Sequence, residues 1–195
     1  MTSTTLRALN GFDETPASLT NSTLVLVDYQ NTYTQGVMEL TGWKQALDAA
    51  AELVTAARAA GTPVIHVIND GGKDTPYDIT TDIGRIHPQL SPTSNEPTVV
   101  KSVPNAFVNT DLAELVDAAG NTNLIIAGFM THMCVTFTTE GAFLRGNTAT
   151  VVANACATRP LCSVSADQLH HSALATITDL YGIVVDSPSS LSASA

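Results

Sequence analysis

Six short apolar runs punctuate the chain: Leu24–Val27, Val64–Ile68, Thr98–Val100, Leu124–Ala127, Thr150–Val152 and Gly182–Val185. Their hydrophobic positions are nearly continuous instead of alternating, the pattern of strands that helices cover on both faces. Between them, Lys44–Ala60, Asp111–Ala119, Cys134–Arg145 and Ala166–Leu180 repeat apolar residues at three- and four-residue spacing, as in Leu47, Leu53, Val54 and Ala57. Each such segment predicts an amphipathic helix. Gly61, Gly120 and Gly146 stand just past three of these patterns, where a left-handed cap favours glycine, and Ser165-Ala166-Asp167-Gln168 reads as a capping box before the last.

Strands that alternate with helices through short connections imply βαβ units. The fold expected is therefore a three-layer α/β/α domain with a six-stranded, mostly parallel sheet. Residues 21–187 form that domain, with 1–20 as an N-terminal extension and 188–195 as a Ser/Pro/Ala-rich flexible tail. One connection is long: Asp70–Pro97 carries Gly71-Gly72 and only weak helical character around Thr80–Ile86. Loops of that length are usually functional or disordered.

In parallel sheets ligands bind beyond the carboxyl ends of the strands, so strand-end residues are the ones to inspect. Three such positions carry chemistry: Asp28 after Leu24–Val27, Lys101 after Thr98–Val100, and Cys134 shortly after Leu124–Ala127. Cys134 opens a helical pattern, where the macrodipole and a neighbouring ammonium both favour thiolate. An isolated cysteine is nonetheless more often a packing residue. By position alone, Asp28 and Lys101 suit a structural ion pair as well as an acid–base site.

Composition narrows the partners. The chain is 44% hydrophobic and 13% charged, as in ordinary globular domains, and its net charge of −10 repels nucleic acid and anionic membrane surfaces. The same excess modestly favours a small substrate that is cationic or neutral. Three cysteines without paired metal spacing, and no apolar run of signal or membrane length, point to a reducing, cytoplasmic setting.

The segments Val27-Asp28-Tyr29-Gln30-Asn31, Lys101-Ser102-Val103-Pro104-Asn105-Ala106-Phe107 and Gly128-Phe129-Met130-Thr131-His132-Met133-Cys134-Val135 resemble the three signature blocks of the isochorismatase-like cysteine hydrolases. They stand in the family's order, and the likeness extends roughly from Leu24 to Val185. The resemblance implies a triad of Asp28 as base, Lys101 as orienting cation and Cys134 as nucleophile. It further implies a cis peptide at Phe129–Met130 and an oxyanion hole from the backbone N–H groups of Met130 and Cys134. A dimer or tetramer is expected as well.

Nicotinamidase-like members hold a metal with an Asp-x-His pair and a further histidine. Val67-Ile68-Asn69-Asp70-Gly71-Gly72 offers no such pair, so no catalytic metal and no cofactor are expected. Isochorismatases that cleave a vinyl ether lack the cysteine, so Cys134 points toward acyl transfer at an amide, lactam, ureido or imide C–N bond. The run Gly128–Thr139 is similar to streptothricin-hydrolase-type members. Tyr33, Trp43, Phe107, Thr131 and His132 are candidates to line the pocket. His66, His170, His171, Cys156 and Cys162 read as structural, and His87 is undecided. Two other readings stand beside this one: a vinyl-ether hydrolase using Asp28 without covalent catalysis, and a noncatalytic binding or redox-sensing relative.

Overall fold

The computed structural model describes residues 4–192. Its six strands are β1 (Ser22–Val27), β2 (Val64–Asn69), β3 (Thr98–Lys101), β4 (Asn123–Gly128), β5 (Thr148–Val152) and β6 (Gly182–Val185). They make one sheet in the order β3-β2-β1-β4-β5-β6, and every pairing is parallel. Parallel strands need crossovers on the faces, which explains the unbroken apolar runs. All six residues of β1 are buried. Leu24 and Leu26 enter one core cluster, while Val25 and Val27 enter the other.

Helix α1 (Leu6–Leu9) precedes the sheet; α2 (Trp43–Ala60) packs on the first face through Leu47, Leu53, Val54 and Ala57. Fully burying each leucine is worth roughly 1.5–3 kcal/mol, enough to fix how that helix faces the sheet. The opposite face is covered by α3 (Leu112–Ala119), α4 (Thr136–Leu144) and α5 (Ala166–Thr176), through Leu112, Val116, Ala142 and Leu174. Ser165 caps α5 with the reciprocal Gln168 contact that its sequence signals. Among the described residues no helix is long and apolar enough to cross a membrane.

The chain order reverses between β1 and β4, and such a switch point is where open parallel sheets generally bind ligands. Register then brings distant residues together. Val27 pairs with both Val67 and Gly128, and Asn69 pairs with Lys101, so Asp28, Asn69, Lys101 and Phe129 share one edge.

Three expectations change. The helical segment carrying Cys134 begins earlier, as a π-turn over Thr131–Val135, so Cys134 lies inside that turn and not at its first residue. The long Asp70–Pro97 connection holds only short 3-10 turns, Asp82–Gly84 and Pro88–Leu90. It is nevertheless fastened: Gln30 Nε2 donates to the Gly84 carbonyl at 2.6 Å, and the His87 N–H donates to the Tyr29 carbonyl at 2.8 Å. The described residues near both termini are also tied down. Buried Arg7 donates to the carbonyls of Leu180 and Asp13, Leu191 is 8% exposed, and the Leu19 N–H donates to the Ser192 carbonyl. One large apolar side chain in the Ser-rich tail supplies the burial that its composition obscures; residues 193–195 lie outside the described ones.

Two glycines separate backbone conformation from crowding. Gly61 caps α2 at φ +72 with open space around it, whereas a Cβ at Gly128 would lie 2.1 Å from the Val27 carbonyl oxygen, inside the β1–β4 contact. Gly61→Ala is expected to cost about 1 kcal/mol, the usual penalty for a left-handed residue with a Cβ. Gly128→Ala should cost about 3 kcal/mol, because two central strands must part. Urea unfolding of both variants measures the gap, and equal losses would contradict this account of Gly128.

Candidate active site

Asp28 follows β1 in a left-handed conformation, φ +55. Its N–H donates to the Val67 carbonyl at 2.9 Å, and its own carbonyl accepts from the Gln30 N–H at 2.8 Å. Aspartate is one of the few residues that adopt this conformation at low cost, and the turn leaves its side chain fully enclosed.

Lys101 ends β3, with β2 between its strand and β1, and its long stem spans that gap. The ammonium lies 2.7 Å from Asp28 Oδ2, 3.2 Å from Asn69 Oδ1 and 3.3 Å from Cys134 Sγ. An ammonium has three donors, so all are used. Both charged side chains are 0% exposed. Asn69 is held in turn by Gln30, whose amide donates to the Asn69 carbonyl and accepts from the Asn69 N–H, each at 2.9 Å. Asp28 Oδ1 has no hydrogen-bond partner among the described residues.

Burial raises the Asp28 carboxyl above its usual range, against the opposing pull of Lys101. Burial also works against the Lys101 charge, but Asp28 and Cys134 together outweigh it and hold the ammonium above its ordinary value. The carboxylate is thereby a stronger base than usual, beside a cation that keeps its proton.

The Cys134 thiol is pushed up to about 12, first by burial and then by the Asp28 carboxylate, with Lys101 opposing. The shift is opposite to the lowering that a helix start and a neighbouring ammonium predict, because the sulfur's enclosure and the adjacent anion outweigh both. Cys134 is 7% exposed.

The peptide between Phe129 and Met130 is cis. The Phe129 N–H donates to the Val27 carbonyl and the Thr131 N–H to the Ala157 carbonyl, both at 2.9 Å, whereas the Met130 N–H finds no acceptor among the described residues. Phe129 is packed edge-on by Tyr29 and Tyr33, with ring centroids 4.7 and 5.8 Å away, and Tyr33 meets Tyr77 at 5.8 Å.

The candidate pocket residues divide. Tyr33 is buried close enough to Asp28 and Cys134 for both to raise its phenol further after burial has done so. Thr131 is enclosed, its hydroxyl 2.9 Å from His170 Nδ1, so His170 supports this turn from α5. His132 Nδ1 meets the Thr158 hydroxyl at 2.6 Å, and burial, then Arg159, keeps its imidazole below the usual value. Trp43 instead bonds Glu39 at the start of α2 and faces His87. Phe107 packs under Arg145, at the far end of α4 from the Cys134 turn, because its ring is drawn into the α3–α4 side of the core.

Asn69, Gln30, Tyr77 and Arg159 escape a reading by sequence. Asn69 had a usable signal, since it closes a strand on the same edge as Asp28 and Lys101. Tyr77 had none, lying within a loop without periodicity.

The isochorismatase domain family matches residues 22–189, from the first residue of β1 to beyond β6. The chain belongs to this family. A crystal structure of an isochorismatase from Pseudomonas putida KT2440 superposes with a TM-score of 0.94 at 35% identity, covering 97% of this chain and all of that one. The secreted isochorismatase effector Isc1 of Verticillium dahliae is 30% identical, over 93% of this chain and 96% of its own length. The isochorismatase family protein YddQ of Bacillus subtilis is 34% identical, over 83% of this chain and 93% of its own.

Two measurements test the electrostatics of this isochorismatase-family site. Lys101→Met leaves an enclosed carboxylate and Asp28→Asn an enclosed ammonium, so each should cost about 3–5 kcal/mol, while the double variant costs clearly less than their sum. Additive losses in denaturant unfolding would contradict a coupled pair. The thiol's pKa of about 12 lies above the ordinary 9, so its protonated form favours the folded state. That contribution is complete below pH 9 and fades as pH rises toward 12. The ultraviolet difference between wild type and Cys134→Ser should accordingly show no thiolate at neutral pH; a thiolate band there would refute the assignment.

Proposed function

We propose that this isochorismatase-family chain is a hydrolase of an amide, lactam, ureido or imide C–N bond in a small molecule, acting through a thioester at Cys134. The observation that carries the reading is the single Lys101 ammonium in contact with both Asp28 and Cys134. A nucleophile and its base held by one buried cation form a unit suited to covalent catalysis. The likeness to relatives named for amide chemistry adds support. Streptothricin hydrolase of Streptomyces noursei is 33% identical over 69% of this chain, which spans 49% of that enzyme. Ureidoacrylate amidohydrolase RutB of Acinetobacter baylyi is 25% identical over 85% of this chain.

Asp28 takes the thiol proton as Sγ attacks the carbonyl carbon, which lets a thiol with a high resting pKa react without a standing thiolate. The oxyanion forms beside the Met130 N–H, which has no acceptor among the described residues and is free to donate to it, with the Cys134 N–H as second donor. Collapse breaks the C–N bond, and Asp28 returns its proton to the departing nitrogen. Water, deprotonated by Asp28, then opens the thioester, releasing the acid and restoring the thiol. Lys101 keeps its charge throughout and holds Asp28 and the sulfur at fixed separation. A cytoplasmic setting and assembly into a dimer or tetramer belong to the same proposal; the three cysteines are unpaired in the structure.

Small amides, lactams and ureido compounds assayed against wild type and Cys134→Ser test it. Turnover by wild type should fall by about a thousandfold or more in the variant. Rapid quench and mass spectrometry should find the acyl group on the Cys134 peptide. Undiminished turnover in Cys134→Ser, without an adduct, would refute the thioester, whereas turnover of a vinyl ether by both proteins and of no C–N compound would favour ether hydrolysis through Asp28 alone.

A further inference from the structure

Helix α5 turns Ala166, Ala173 and Leu174 inward, and half-buried His170 stands on the same stripe, four residues before Leu174. An imidazole there forgoes bonds to water and is costly without a partner. It has one on another element: His170 Nδ1 lies 2.9 Å from the Thr131 hydroxyl, and Thr131 is fully enclosed. Burial and His171 hold the His170 ring below its usual pKa, against the pull of Asp167, so the contact is made by a neutral imidazole.

Thr131 is held at all three of its polar groups. Its N–H donates to the Ala157 carbonyl at 2.9 Å, its carbonyl accepts from the Thr136 hydroxyl at 2.7 Å, and its hydroxyl is the group that α5 reaches. On the other side of Met130, the Phe129 N–H donates to the Val27 carbonyl at 2.9 Å. Met130 is thus bracketed by two anchored neighbours, and the direction of its N–H follows from theirs. Removing His170 frees one anchor and leaves an enclosed hydroxyl unmet, a cost that the turn relieves by shifting. The same π-turn carries Cys134, three residues after Thr131.

We infer that His170 is a positioning residue for acylation of Cys134: acting through Thr131, it fixes the Met130 N–H at the place where an oxyanion develops. A displaced donor gives little of the stabilisation that a preorganised one supplies. The inference rests on the proposed acyl transfer for the role of the Met130 N–H. It differs from simple packing in requiring a hydrogen-bonding atom at the Nδ1 position.

Two reagents separate positioning from the reactivity of the sulfur itself. p-Nitrophenyl acetate acylates the thiol: the Sγ–C bond forms, the ester C–O bond breaks, p-nitrophenolate leaves and the thiol proton passes to Asp28. Iodoacetamide alkylates the same sulfur at a saturated carbon with loss of iodide, so no oxyanion forms. In His170→Ala, acylation read by p-nitrophenolate release and by the mass of the Cys134 peptide should slow about ten- to a hundredfold, while alkylation keeps its wild-type rate. His170→Asn, whose amide reaches the Nδ1 position, should restore most of the acylation rate, and His170→Gln, whose amide lies one bond further out, should not. Thr131→Val should match His170→Ala, and the double variant should lose no more than either. Acylation undiminished in His170→Ala overturns the inference, as does an equal fall with both reagents, or rescue by glutamine as complete as by asparagine. Wild type that is alkylated but never acylated overturns the inference together with the thioester. The expected pattern with these reagents, but no turnover of any amide, lactam or ureido compound, counts against the proposed substrate class alone.

Discussion

Enclosing the Asp28–Lys101 pair is the constraint on which the rest of this structure turns. Two opposite charges removed from water gain little net stability unless geometry is good and the remaining donors are met. The parallel sheet meets that demand by register: the ends of β1, β2 and β3 place Asp28, Asn69 and Lys101 side by side. Gln30 then binds both Asn69 and the Gly84 carbonyl, so the same network that satisfies the ammonium fastens the long loop over the edge. What a stability argument treats as a burden is here the device that orders an otherwise irregular segment.

The same enclosure sets the resting chemistry. Removing water raises the Asp28 carboxyl and the Cys134 thiol together, so the proton stays on sulfur while the base beside it grows stronger. A nucleophile made only when a carbonyl arrives is shielded from solvent oxidants. Redox-sensing cysteines have the opposite character, a low pKa and an accessible sulfur. At 7% exposure and a pKa of about 12, Cys134 does not resemble one, which weakens the redox-sensing reading left open by the sequence.

Periodicity made the sheet legible, because a strand buried on both faces has no polar alternation, and all six runs lie within observed strands. The strand-end rule drew attention to Asp28, Lys101 and Cys134 because chemistry at a parallel sheet edge needs only position, not detailed packing. The thiol's charge state was illegible for the opposite reason. It depends on enclosure and on a carboxylate more than a hundred residues away, neither of which spacing encodes. The contacts of Trp43 and Phe107 are illegible in the sequence as well, because nearness to a signature block does not set the direction of a side chain: Trp43 bonds Glu39 and Phe107 packs under Arg145.

Net charge is a coarser quantity than any of these. A sum over the chain of −10 describes solubility and long-range steering, and it weights every exposed carboxylate equally. Water and salt screen those groups over about 10 Å, whereas enclosed groups such as Asp28 and Lys101 act at close range through a less polarisable medium. Recognition inside a crevice therefore follows its few unscreened groups. Here the Asp28–Lys101 charges offset one another and His132 is held below its usual pKa, so the −10 of the whole chain does not describe the field beside Cys134.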